Sequence, residues 1–182
     1  MDETCSIDDY TIKLDDLTGK QLSVHLFSNV QNIEEIHEKL MTKELACCII
    51  KAQLVLDPFQ IAVAANKAAL NEKYKQLITR TLYTEVIYCL STSKNISQSL
   101  TTFGISNEVK DIVVVQIYDT SEKKALEKLI DSVKGQRVPV SKLPEFSNVD
   151  LIKKTYKIDN EELKVSSLLD SVVSRISDKI SK

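Results

Sequence analysis

One stretch constrains this chain more than any other. It runs Asp57-Pro58-Phe59-Gln60-Ile61-Ala62-Val63-Ala64-Ala65-Asn66-Lys67-Ala68-Ala69-Leu70, crosses a charged joint, and resumes as Arg80-Thr81-Leu82-Tyr83-Thr84-Glu85-Val86-Ile87-Tyr88-Cys89-Leu90. Asp57 can accept hydrogen bonds from the free N–H groups of a helix start. Pro58 suits the first helical position, where its missing N–H costs nothing. The residues that follow are apolar or small on almost every side. A surface helix would show a polar half, so this one is expected inside a core or under a partner. Leu82, Val86 and Leu90 then share one helical face, with Tyr83 and Ile87 beside them. Two such helices in tandem specify a packing centre rather than a catalytic loop.

Strands and helices alternate around this centre. Tyr10–Leu14 alternates as a short strand does. Leu22, Val24 and Leu26 fall on one strand face and Ser23 and His25 on the other, so His25 is expected against solvent or a second layer. Asn32 is placed to cap a helix carrying Ile33, Ile36, His37, Leu40 and Met41. Leu45–Ile50 fits either a strand or a buried helical turn, because period alone does not settle a short apolar run. Asn95 starts a helix over Ile96–Phe103, with Gly104 where a C-cap glycine would sit. The β-branched run Ile112–Tyr118 predicts a central strand covered on both faces. A further helix runs from Ser121 to a stop at Gly135, and Asp150–Tyr156 is a basic-flanked helical piece.

Leu163–Ile180 reads as one long C-terminal helix. Val165, Leu169, Val172 and Ile176 form its stripe, widened by Leu168, Val173 and Ile180. The sum is an α/β fold: a single domain over residues 10–182 with a central mixed sheet, packed helices and a C-terminal helix. Residues 1–9 read as a frayed, acidic extension.

Composition narrows the function more by exclusion than by assertion. Of 182 residues, 43% are hydrophobic, enough for one substantial core. The 24 basic and 26 acidic residues leave a net charge of −2, so nothing pulls the whole chain toward nucleic acid. No run is long enough to cross a membrane, and the polar start is unlike a secretory signal, which points to an intracellular protein without a membrane role.

The cysteines Cys5, Cys47, Cys48 and Cys89 match no zinc or redox spacing; the vicinal pair reads as buried small hydrophobes. His25 and His37 sit on different elements. Three glycines cannot build a phosphate loop. Asp57 is explained by capping. Glu85, in an apolar helix, is expected to face Arg80 one turn away or a partner's basic group. No catalytic residue, metal site or cofactor is expected. The basic joint Lys67, Lys73, Lys75 and Arg80, with Lys94 nearby, is the polar feature suited to phosphates. A freestanding RNA-binding module using this joint is the alternative to a partner-binding scaffold.

The same central stretch carries a family resemblance. Asp57-Pro58-Phe59-Gln60-Ile61, Ala64-Ala65-Asn66-Lys67-Ala68, and Thr79-Arg80-Thr81-Leu82 with Thr84-Glu85 resemble the PRPK-binding protein (TPRKB) family of EKC/KEOPS subunits. The likeness continues through Asn95-Ile96-Ser97, Phe103-Gly104-Ile105-Ser106, Leu143-Pro144-Glu145 and Lys153-Lys154 with Tyr156-Lys157. It covers roughly Leu22 to Ile180. Lys51-Ala52 stand where human-like members have Asn-Pro, which loosens a turn the family holds stiff.

The resemblance implies a non-catalytic subunit of one α/β domain, found in cytoplasm and nucleus. It implies binding to the small lobe of a Bud32/PRPK-type kinase, and through that kinase to the threonylcarbamoyl-transferase subunit. It implies support for threonylcarbamoyl-adenosine modification of tRNAs that read codons beginning with A, with contact to the tRNA acceptor end. The kinase contact is expected on the outer side of the C-terminal helix at Leu168, Val172, Val173 and Ile176, with part of the first central helix. The tRNA contact is expected at Lys67, Lys73, Lys75 and Arg80.

Overall fold

The computed structural model describes residues 10–119 and 121–179. The expectations for residues 1–9 and for Ile180 lie outside the described residues. Five strands form the sheet: β1 (Tyr10–Lys13), β2 (Gln21–Ser28), β3 (Cys48–Lys51), β4 (Ile112–Tyr118) and β5 (Gln136–Val138). Four lie in the order β1-β2-β4-β3. β1 pairs with Gln21–Val24 and β5 with Leu26–Ser28, so both use the same edge of β2. Every residue of β4 is buried, as its β-branched run requires.

Strand–helix alternation suggests parallel neighbours. β2 and β3 do run the same way, joined over α1 (Ile33–Met41), but β4 inserts between them. Each hydrogen-bonded pair among the described residues is therefore antiparallel, where a mixed sheet was expected.

The remaining helices are α2 (Pro58–Lys73), α3 (Leu82–Leu90), α4 (Ile96–Phe103), α5 (Lys123–Ser132), α6 (Val149–Tyr156) and α7 (Leu168–Asp178). On one sheet face Leu22, Val24 and Leu26 share a core with Ile61, Ala65, Val86, Leu90 and Val172. On the other, Phe27, Ile49 and Val114 share a second core with Ile36 of α1 and Leu129 of α5. His25 belongs to this second layer and is 1% exposed, with Ser23 Oγ on its Nε2 and Arg137 Nη2 3.3 Å from its Nδ1. Cys47, Cys48 and Cys89 are buried free thiols. Burial pushes Cys47 and Cys89 up to about 12, as befits packing rather than chemistry.

Four local expectations change. Asn32 makes no side-chain cap for α1. Its amide instead donates to Ser132 O at 2.9 Å and accepts from Lys134 N at 2.9 Å, tying α1 to the end of α5. Leu45–Ile50 resolves into a strand only from Cys48, because Leu45 N is spent on Lys39 O at the close of α1. Gly104 ends α4 in extended backbone, not left-handed. Glycine is needed there because a Cβ would stand 2.5 Å from Leu100 O. Finally, α7 begins at Leu168 rather than Leu163. Ser167 Oγ caps it, accepting from Asp170 N at 3.1 Å, and a separate 3₁₀ turn (Glu162–Lys164) precedes it.

Candidate partner-binding surface

The centre of the helical layer is fixed by caps and one buried carboxylate. Asp57 accepts from Phe59 N at 2.8 Å, as its position predicts. Thr81 and Thr84 form a reciprocal capping box at the start of α3. Glu85 is 0% exposed. It accepts from Asn71 Nδ2 at 3.0 Å, Ile78 N at 3.1 Å, Thr79 N at 2.8 Å and Thr79 Oγ1 at 2.7 Å. Arg80 is exposed, so the expected Glu85–Arg80 pairing is replaced by neutral donors that converge on the carboxylate. Hydrogen bonds to a charged group contribute about 1.5–3 kcal/mol each. This arrangement sets how α2 turns into α3. It offers no approach for a substrate.

The joint's lysines divide by role. Lys67 is half-buried, and its Nζ donates to the carbonyls of Ile176 and Lys179, clipping the end of α7 onto α2. Lys73 is exposed and donates to Leu17 O in the β1–β2 turn. Lys75 and Arg80 are exposed. Lys179 closes the clip from the other side. Its ammonium lies 3.4 Å from the centre of the Tyr88 ring and donates to Tyr88 O and, at 2.7 Å, to Ser93 O. A cation suits the C-terminal end of a helix, here α3. Burial brings its pKa down to about 8.

α7 docks chiefly by two apolar residues. Val172 and Ile176 are 0% and 1% exposed and lie four positions apart, so they share the inward face. Both were expected on the outer side. They point inward where α7 packs on α2, into the same core as Ala64, Ala65 and Ala68 of that helix. Burial of each stabilises by about 1.5–3 kcal/mol.

Leu168 and Val173 stay half-buried, and Leu168 still packs on the core. The margin of this stripe is formed by half-buried Leu169 and Val173, again four apart, with Val165 90% exposed ahead of the helix. Arg175 holds that leading turn in place. Its Nη1 and Nη2 donate to Glu162 Oε1 and Oε2 at 2.6 and 2.7 Å, and Nη2 also reaches Lys157 O at 3.1 Å. The bonds from Arg175 hold the Glu162 carboxyl at about 2.

A family model described as "Kinase binding protein CGI-121" matches residues 27–179, from within β2 to the end of α7. The chain belongs to this family. It is 36% identical to the EKC/KEOPS complex subunit TPRKB of Danio rerio over 154 residues, covering 85% of this chain and 88% of that one. It is 31% identical to the EKC/KEOPS complex subunit cgi121 of Schizosaccharomyces pombe over 162 residues, covering 85% and 93%. With CGI121 of Kluyveromyces lactis it shares 36% over 126 residues, 69% and 78% of the two chains.

Within this CGI-121 chain no group of three or more His, Cys, Asp or Glu among the described residues could hold a metal ion. No described helix is long and apolar enough to cross a membrane. Sequence reasoning missed the outward role of Leu169 and Val165 and the clip made by Lys67 and Lys179. The Leu169–Val173 pair was findable from its i, i+4 spacing; the clip was not, because a lysine's target depends on tertiary placement.

Proposed function

We propose that this chain is the non-catalytic, kinase-binding subunit of an EKC/KEOPS-type complex. It docks the small lobe of a Bud32/PRPK-type kinase, and through that kinase it reaches the threonylcarbamoyl-transferase subunit. The observation that carries this is the apolar surplus on α7. Leu169 and Val173 remain half-exposed, and Val165 90% exposed, after Val172 and Ile176 have been used for docking, in a family described as kinase binding. An outward apolar helical stripe is a helix-type partner surface. Of the residues first assigned to the interface, Val173 and the edge of Leu168 keep that role. Val172 and Ile176 support it from beneath.

The complex acts in threonylcarbamoyl-adenosine modification of tRNAs that read codons beginning with A. In it, Lys73, Lys75 and Arg80 are the phosphate-facing group of this subunit, since they are exposed at the joint. Lys67 contributes by holding α7. These cations position a tRNA backbone and read no sequence.

Co-expression with a Bud32/PRPK-type kinase from the same organism tests the reading. A stable one-to-one complex is the expected product. Failure of the pair to co-purify, with salt-sensitive tRNA binding by the subunit alone, would replace the scaffold with a freestanding RNA-binding module.

A further inference from the structure

The turn ahead of α7 is formed without a core of its own. Its 3₁₀ piece, Glu162–Lys164, has no buried residue and no side-chain cap. Leu163 rests half-buried on the core. The closing backbone bonds, Val165 N to Glu162 O at 3.2 Å and Ser166 N to Glu162 O at 3.1 Å, are those of one short turn. So brief a piece does not keep its shape alone in water, because fixing the backbone costs more than one or two such bonds return. Yet Val165 stands on it 90% exposed, more than any other large apolar side chain among the described residues.

One guanidinium supplies what the turn lacks. Arg175, in α7, holds both carboxylate oxygens of Glu162. Its Nη2 also donates to Lys157 O at the end of α6, and its Nη1 to Ser171 O within α7 at 3.3 Å. The end of α6, the turn and α7 therefore meet on one side chain. Two smaller ties bracket the same segment. Asp159 Oδ1 accepts from Glu162 N at 2.9 Å, and Ser171 Oγ donates to Ser166 Oγ at 3.2 Å. A bidentate pair fixes direction as well as distance, so the turn has one orientation relative to α7.

We propose that Arg175 is a positioning residue for kinase binding: it keeps the turn formed in the free subunit, so that Val165 is presented in advance as an anchor for an apolar pocket on the kinase. This rests on the kinase-binding reading above and assigns, within it, one contact and the residue that acts through that contact. An anchor on an unformed turn would have to be ordered at the moment of docking, which would weaken the complex. A turn ordered beforehand avoids that cost. Arg175 itself directs its bonds inside the chain.

Calorimetric titration of the full chain with the Bud32/PRPK-type kinase, run as a double-mutant cycle, tests this. Val165→Ala removes two methyl groups and should weaken binding about tenfold. Arg175→Met should weaken it by about the same factor. NMR relaxation should then show backbone order falling at Val165 and Ser166 while Val172 and Ile176 are unchanged. Glu162→Gln, which keeps an acceptor for the guanidinium, should lose about threefold. The Val165→Ala, Arg175→Met double variant should bind no more weakly than either single one. Losses that multiply in the double variant would make Arg175 a contact in its own right and overturn the positioning role. Order lost at Val172 and Ile176 in both Arg175→Met and Glu162→Gln would make the pair a brace for the whole of α7 and overturn it too. Val165→Ala binding as the parent does would overturn the anchor and leave the kinase-binding reading in place. A parent chain that binds no kinase would overturn that reading and this inference with it.

Discussion

The α2–α3 joint and the α7 helix are both helical, both pack on the same core, and are held in opposite ways. The joint is locked from inside by polar groups: Glu85 gathers Asn71, Ile78 and Thr79, and the Thr81–Thr84 box closes the turn. α7 is laid on from outside by Val172 and Ile176, with the Lys67 and Lys179 clips at its end. A buried polar network specifies one geometry, because each unmet donor would cost energy. A broad apolar stripe instead leaves its margin, at Leu169 and Val173, half-exposed. The difference separates a rigid centre from a surface that a partner can use.

The largest expected effect strikes the apolar side of that comparison. Val172→Glu buries an unpaired carboxylate under α7 and should cost about 4–5 kcal/mol in urea unfolding. Leu169→Glu, three residues earlier on the half-buried margin of α7, should cost clearly less, about 1 kcal/mol. Equal losses would mean that α7 is not seated as described. On the polar side, Glu85→Ala strands the donors of Asn71, Ile78 and Thr79 and should cost about 2–4 kcal/mol, with Glu85→Gln recovering part because its Oε1 still accepts. A neutral outcome for Glu85→Ala would remove the polar lock from the account.

Smaller again is Lys67→Met, which frees the carbonyls of Ile176 and Lys179. A loss of about 1 kcal/mol is expected, seen as faster amide exchange in α7 while α3 is unchanged.

The smallest effect is a pH effect in the turn ahead of α7. The Glu162 pKa is lowered to about 2 by Arg175, so its stabilising contribution is complete above the ordinary 4.5 and fades as pH falls from 4.5 through about 2. The Glu162 carboxyl should titrate near 2 by NMR and return toward 4.5 in Arg175→Met. An unmoved midpoint in that variant would unlink the turn from α7.

The same contrast explains what the sequence could disclose. The Asp57-Pro58 start and the β4 run are local signals, set by caps and by side chains that fit a covered strand, and both stand where sequence placed them. The rotation of α7 was not local. Leu168, Leu169, Val172, Val173 and Ile176 fall in one broad apolar stripe of α7, so the period names the helix and its inward side without saying which of these positions are covered and which lie on the margin. The packing of α7 on α2 makes that division, and only the folded structure shows it. The antiparallel pairing was hidden for a similar reason. β4 follows β3 in sequence by some sixty residues, and nothing in either strand announces that it inserts beside β2. For the candidate surface, the element was legible and the individual residues were not. Lys67 reads as a free cation until its neighbour across space is known.

The most direct measurement is calorimetric titration of the intact chain with a Bud32/PRPK-type kinase, comparing Val173→Glu with Arg80→Glu. The α7 account expects Val173→Glu to keep its fold and weaken kinase binding by at least about tenfold, with Arg80→Glu binding as the parent does. Unchanged affinity in a folded Val173→Glu variant, with loss in Arg80→Glu, would place the kinase at the joint and contradict the account.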